Sequence, residues 1–192
     1  NVEILETLKS KLEKILSVKS DTKYKKLKET LLSLGWSGRK HDDRYVIFAE
    51  RINTLEYLRE NLKNDFKLTE ESVAYFHGGL SDSEQQNIIE DFGKQDSTVK
   101  ILLCSDAGSQ GVNLHYFCNR MFNYDIPWSL ITLEQRNGRI DRYGQKKTPY
   151  IHYIIAESDI PGLKTDLHIV DRLTQKEEEV YKTLGDAGSV MK

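Results

Sequence analysis

Over the first forty positions apolar residues recur at three- and four-residue steps, at Leu5, Leu8, Leu12 and Ile15 and then at Tyr24, Leu27, Leu31 and Leu34. Steps of that size lay one apolar stripe along each of two amphipathic helices. Gly35 and Gly38, in Gly-Trp-Ser-Gly, break the second pattern. The rhythm then changes. Residues 45–49, 73–76, 99–104, 120–124 and 150–155 form short apolar runs, too compact for helices, and predict five strands. Longer amphipathic stretches separate them, one through Leu55, Leu58 and Leu62 and another burying Ile88, Ile89 and Phe92. The latter opens with Ser81 three residues before Glu84, the spacing of a capping box. Ser129 can cap a further helix running through Leu133, Gln135 and Ile140, and the tail returns to helix through Leu167, Val170, Leu173, Val180 and Leu184.

Strand and helix in alternation imply parallel strands joined by crossover helices, hence an α/β layered sheet with helices on both faces. The near-continuous apolar strands agree, because a parallel sheet is covered on both sides. The length, 192 residues, suits one domain with a short appendage, and only three prolines occur, so no linker divides the α/β region. No run approaches the ~20 apolar residues of a bilayer span, and the opening Asn1-Val2-Glu3-Ile4-Leu5-Glu6 does not read as a signal peptide. A cytoplasmic protein with no membrane partner is therefore expected. Two cysteines, Cys104 and Cys118, lack metal or disulfide spacing, and Cys104 falls in an apolar run that suits a buried free thiol. The five histidines show no ligand spacing, so no metal site is expected.

The net charge of −2 hides local asymmetry. Residues 9–28 carry eight lysines against two acids, residues 50–96 five basic against eleven acidic side chains, and residues 134–150 five basic against two acidic. The first cluster reads either as a solvated helix face or as a basic footprint; overall acidity excludes a polyanionic partner in neither case.

Ligands of an open parallel sheet bind beyond the carboxyl ends of its strands. Those ends lead into Glu50-Arg51, His77-Gly78-Gly79, Ser105 to Asn113, and Asp125-Ile126-Pro127-Trp128, so polar and glycine-rich loops gather on one edge. Gly78-Gly79 before a helix start either offers backbone N–H groups to an anion or marks a turn needing positive φ. Gly108 and Gly111, flanked by hydroxyl and amide side chains, can bring backbone close to a phosphate. The most specific signal is Gln135-Arg136-Asn137-Gly138-Arg139-Ile140-Asp141-Arg142-Tyr143-Gly144-Gln145. Three-residue spacing on a helix would project Arg139 and Arg142 from one face. Such a pair suits a triphosphate, the alternative being ion pairs with Asp141 or Glu134.

Gln-Arg-x-Gly-Arg-x-x-Arg over 135–142 resembles motif VI of superfamily-two helicases, and the following Tyr-Gly-Gln is similar to the Swi/Snf-type branch. Residues 105–114 resemble motif V, residues 46–51 motif IV, and Phe76 to Gly79 with the helix ending Glu90-Asp91-Phe92 the adjoining nucleic-acid-contact motif. Asp125 to Trp128 fits the same pattern, and the ending from Asp171 to Ala187 resembles the tails of bacterial Swi/Snf-like proteins. The resemblance spans roughly residues 21–156. It implies a RecA-like second lobe (P-loop-NTPase-like) over residues 21–158, with a helical lead-in over 1–20 and a helical extension over 159–192. By it, Arg139 and Arg142 are the catalytic arginines, Arg142 being the finger. Gln135, Gly138, Asn113 and Gly111 are the ATP-side residues, and Arg51, Gly78, Gly79, Ser105 and Gly108 the nucleic-acid contacts. Asn113 stands where many relatives carry Asp, and Gln110 where some sister families carry Arg.

No Gly-x-x-x-x-Gly-Lys-Ser/Thr and no Asp-Glu-x-His box occurs in the chain, so half of a phosphoryl-transfer site is missing. The expectation is the C-terminal lobe of an ATP-dependent Swi/Snf-type DNA translocase or helicase of the bacterial nucleoid. Its partners would be an N-terminal RecA-like lobe, which holds ATP and Mg, and DNA, duplex favoured, contacted without sequence specificity; the lobe alone would be inactive. The alternatives are a strand-separating helicase lobe and a non-catalytic nucleic-acid- or protein-binding module.

Overall fold

The computed structural model describes residues 2–16, 21–38, 44–108, 111–160 and 162–176. Gln110 and the tail expected to be helical through Val180 and Leu184 lie outside them. Helices α1 (Val2–Leu16) and α2 (Thr22–Ser33) precede β1 (Tyr45–Phe48), α3 (Ile52–Phe66), β2 (Val73–Phe76), α4 (Asp82–Gly93), β3 (Ile101–Cys104), β4 (Arg120–Asn123), α5 (Leu130–Asn137) and β5 (Tyr150–Tyr153). A last helix, α6, covers residues 166–176. All five expected strands are present, four residues each, so the ends of the longer apolar runs are extended connections.

The strands form one sheet in the order β2-β3-β1-β4-β5, and every pair is parallel. Side chains alternate across it. Tyr45, Ile47, Ile101, Leu103 and Phe122 meet α2 and α3 on one face. Val46, Phe48, Leu102, Cys104 and Met121 meet α4, Leu114, Cys118 and Ile140 on the other. The fold is thus α/β with helices on both faces, as the strand composition requires.

Local chemistry fixes the element ends. The Ser81–Glu84 capping box forms at the start of α4, and at its other end the Arg44 guanidinium donates to the carbonyls of Phe92, Lys94 and Gln95. Those carbonyls would otherwise lack partners at a buried helix terminus. At the end of α2 the Trp36 N–H reaches Leu31 O and the Gly35 N–H reaches Leu32 O, a closure that puts Gly35 at φ +72°. This turn buries Trp36 and leaves Leu34 exposed, so the apolar stripe of α2 ends at Leu31. The stripe of α1 (Leu5, Leu8, Leu12) faces outward. Ile126, Leu130 and Leu133 pack with Ile169, Val170 and Leu173, seating α6 on α5.

Candidate functional site

The connections that leave the carboxyl ends of β1, β2, β3 and β4 meet in one rim. Gly108 is buried, and a Cβ there would lie 2.6 Å from the His77 Cα, while one on Gly78 would lie 3.1 Å from the Ala107 Cβ. The turn after β3 therefore presses on the backbone of the loop after β2, which at 108 only glycine permits. Neither Gly78 nor Gly79 has a positive φ. No turn geometry calls for glycine at 78; a side chain there would be tight against Ala107. The Gly79 N–H is already engaged, donating to His77 Nδ1 at 3.1 Å. Ser105 is buried, and its Oγ accepts the Gly108 N–H at 3.2 Å, so this hydroxyl closes the turn instead of pointing outward. Arg51, at the start of α3, is exposed with its guanidinium 3.4 Å from Glu50.

Motif VI departs from the expected helix. Helix α5 ends at Asn137, with Gly138 as its C-cap, and the Arg139 and Ile140 N–H groups bond three residues back, to Arg136 O and Asn137 O. These i→i−3 bonds tighten the chain into a turn that buries Ile140. Arg139 and Arg142 thus lie in the turn after the helix, not on a helix face. They still converge: an Arg139 Nη donates to Val112 O at 3.4 Å and an Arg142 Nη to Asn113 Oδ1. Gly111, at φ +80°, opens this segment with nothing within 4 Å of its Cβ position. Gln135 stays exposed on α5.

Among the described residues neither arginine makes an ion pair, so the pairing with Asp141 or Glu134 is not formed. Arg139 Nε is buried with no hydrogen-bond partner among the described residues. Burial, and then the adjacent Arg142 charge, lowers the Arg139 pKa from the ordinary arginine value. Two like charges, one partly desolvated, form a local excess of positive potential that an anion would relieve.

The central group of the rim is one the motif reading passed over. Arg136 is 1% exposed. Its Nε and one Nη donate to Asp106 at 2.6 and 2.8 Å, and its Nη atoms donate to Asp125 Oδ1, both at 3.1 Å, and to Asp125 O at 2.9 Å. Asn123 Oδ1 accepts at 3.3 Å, and the Phe48 ring lies 5.6 Å from the guanidinium carbon. Burial would lower the Arg136 pKa, but Asp106 and Asp125 outweigh it and the pKa is raised. Asp125 also accepts the Glu50 N–H at 2.7 Å. One guanidinium thereby joins the loops after β1, β3 and β4 to the helix carrying motif VI. Arg136 is the buried residue of α5, and a buried charge needs buried partners.

Residues 22–144 match the family described as helicase conserved C-terminal domain. The chain belongs to that family. The ATP-dependent helicase YqhH of Bacillus subtilis is 32% identical over 154 residues, covering 80% of this chain and 25% of that protein. The RNA polymerase-associated protein RapA of Vibrio campbellii is 33% identical over 113 residues, covering 59% and 11%. The chain thus spans a quarter or less of these two relatives. Among solved structures, the C-terminal part of the Fun30 ATPase domain superposes with a TM-score of 0.55 at 18% identity, covering 86% of this chain and 55% of that one. Domain 2 of the DEAD-box helicase Mss116p, solved bound to an RNA duplex, gives 0.52 at 23%, covering 68% and 47%. These two likenesses establish a RecA-like helicase fold. The superfamily-two, Swi/Snf-type resemblance seen in the motifs is borne out by the family and the relatives. No helix among the described residues of this helicase domain is long and apolar enough to cross a membrane. No cluster of three metal-ligating side chains occurs among them either.

The clamp generates a stability prediction. Arg136→Met leaves two carboxylates facing a buried gap and should cost about 3–5 kcal/mol in urea unfolding. Adding Asp106→Asn and Asp125→Asn should recover most of that loss. Unchanged unfolding of Arg136→Met would show that the pairs carry no net interaction.

Proposed function

We propose that the chain is the C-terminal lobe of an ATP-dependent Swi/Snf-type DNA translocase, residues 21–158 forming the lobe between a helical lead-in (1–20) and a helical extension (159–192). The observation that carries this reading is the pair Arg139 and Arg142, lacking ion pairs among the described residues and set on the 111–113 segment. On closure of an N-terminal RecA-like lobe holding ATP and Mg, the two guanidiniums stabilise the charge that develops on the γ-phosphate, Arg142 as the finger. Gly111, Asn113, Gln135 and Gly138 line the same side; the Arg142–Asn113 hydrogen bond exchanges for phosphate, leaving the amide to the ribose.

Nucleic acid lies along the rim made by Gly78, Gly79, Ser105, Gly108 and Arg51. Gly78 offers its backbone N–H, Ser105 and Gly108 supply the turn, and Arg51 supplies exposed charge. Contacts of this type follow phosphates and carry no sequence information directly, in keeping with a motor that tracks along duplex DNA in the bacterial cytoplasm. Arg136 ties this rim to motif VI, so a change at the nucleotide reaches the loops through one buried side chain.

Two outcomes follow. In the intact protein Arg142→Ala should lower DNA-stimulated ATP turnover by about 10³–10⁵ without altering the circular dichroism spectrum; near-wild-type turnover refutes the finger. Purified 1–192 should hydrolyse no ATP, because positioning needs both lobes, and measurable turnover would contradict the two-lobe reading.

A further inference from the structure

The pattern Gln-Arg-x-Gly-Arg-x-x-Arg leaves residue 137 open, and Asn137 fills that place. It is the last residue of α5. Its main-chain carbonyl accepts two N–H groups, from Ile140 at 3.1 Å and from Asp141 at 2.9 Å. Arg139 lies inside the loop that these bonds close, and Arg142 follows Asp141 directly. The turn that carries both arginines is therefore hung on Asn137, and where this residue sits decides where the two guanidiniums reach.

The Asn137 side chain is held from two strands. Its Nδ2 donates to the Tyr153 hydroxyl at 2.8 Å, and its Oδ1 accepts from Asn123 Nδ2 at 3.4 Å. Asn123 is fully buried, and its own Oδ1 accepts from Arg136 at 3.3 Å. Asn123 and Tyr153 end β4 and β5 and are partners in the register, so their side chains leave the same face of the sheet and meet Asn137 together. The Ile154 N–H donates to Asn123 O at 3.0 Å, which fixes the main chain just after Tyr153. The hydroxyl thus stands on an anchored backbone although β5 is the last strand of the sheet and Tyr153 is 39% exposed.

A helix end pinned at one point can still rotate about that point. Arg136 supplies one pin, through Asp106 and Asp125. Asn137 is the next residue, and at 3.6 residues per turn it projects about 100° further round the helix. Two pins in different directions fix the rotation that one leaves free.

We propose that Asn137 and Tyr153 are positioning residues for the arginine pair, the amide–hydroxyl contact setting the rotation of the α5 end and so the reach of Arg139 and Arg142 toward the γ-phosphate. This rests on the two-lobe reading of that pair. The two residues act on the arginines and not on the phosphate. Their effect falls on the step in which the guanidiniums meet developing charge, hence on kcat and not on the KM for ATP.

The test is steady-state DNA-stimulated ATP hydrolysis by the intact protein in Tyr153→Phe, Asn137→Ala and the double variant, with Arg142→Ala alongside. Tyr153→Phe keeps the ring and removes one hydroxyl. It should lower kcat about fivefold, the change in population that one neutral hydrogen bond supports, with the KM for ATP and the circular dichroism spectrum unchanged. Asn137→Ala should lose at least as much, because the Asn123 contact goes too. The double variant should be no slower than Asn137→Ala, since the hydroxyl then has nothing to hold. Unchanged kcat in Tyr153→Phe beside an inactive Arg142→Ala overturns the positioning role and leaves the finger standing. Losses that multiply in the double variant, or that appear in KM alone, overturn it as well. Near-wild-type turnover in Arg142→Ala removes the two-lobe reading and the positioning role with it.

Discussion

A single buried guanidinium holds the carboxyl edge of this sheet together. Arg136 is bonded to Asp106 beyond β3 and to Asp125 beyond β4, while Asp125 also holds the Glu50 N–H beyond β1. Desolvating an arginine this fully is repaid only when its donors are met by well-placed acceptors. Here two carboxylates, an amide oxygen and a main-chain carbonyl meet them. The consequence is rigidity where a parallel sheet is otherwise a set of separate loops. The turn after β3 cannot move without disturbing the helix that carries motif VI.

That rigidity gives meaning to the neighbouring arginines. Arg136 is neutralised by Asp106 and Asp125, whereas Arg139 and Arg142, three and six residues on, meet among the described residues a carbonyl and an amide oxygen. The contrast between a satisfied arginine and two uncompensated ones, on one turn of chain, separates scaffold from proposed reaction surface. It also explains how the pair converges although α5 stops before reaching it. Tight i→i−3 bonding after Asn137 and the buried anchor Ile140 steer both side chains toward the segment after Gly111.

Much of this was legible from residue order. Short β-branched and aromatic runs marked all five strands, since a sheet covered on both faces leaves its strands apolar on both sides. Ser81 and Glu84 marked a helix start because the capping box is local chemistry. The family resemblance pointed to the fold and the superfamily, and the family match bears it out. What stayed hidden depends on distance in space. Strand order, with β3 between β2 and β1, has no local signature. The need for glycine at 108 arises from two loops pressed together, which spacing cannot reveal. Leu34 fits the helical period of α2, yet Trp36 takes the buried place because the left-handed Gly35 reverses the chain first. Arg136 reads in the sequence as one more basic residue of the 134–150 cluster, and only the fold, which brings Asp106 and Asp125 to it, makes it a buried centre.

The central claim is that Arg139 and Arg142 complete a nucleotide site begun on another lobe. The most direct test is a structure of the intact protein with DNA, Mg and an ATP transition-state analogue. Both guanidiniums should then leave Val112 and Asn113 and lie about 2.7–2.9 Å from oxygens of the γ-phosphate mimic. Guanidiniums that remain on Val112 and Asn113, with the analogue bound and the phosphate mimic out of reach, would contradict the account.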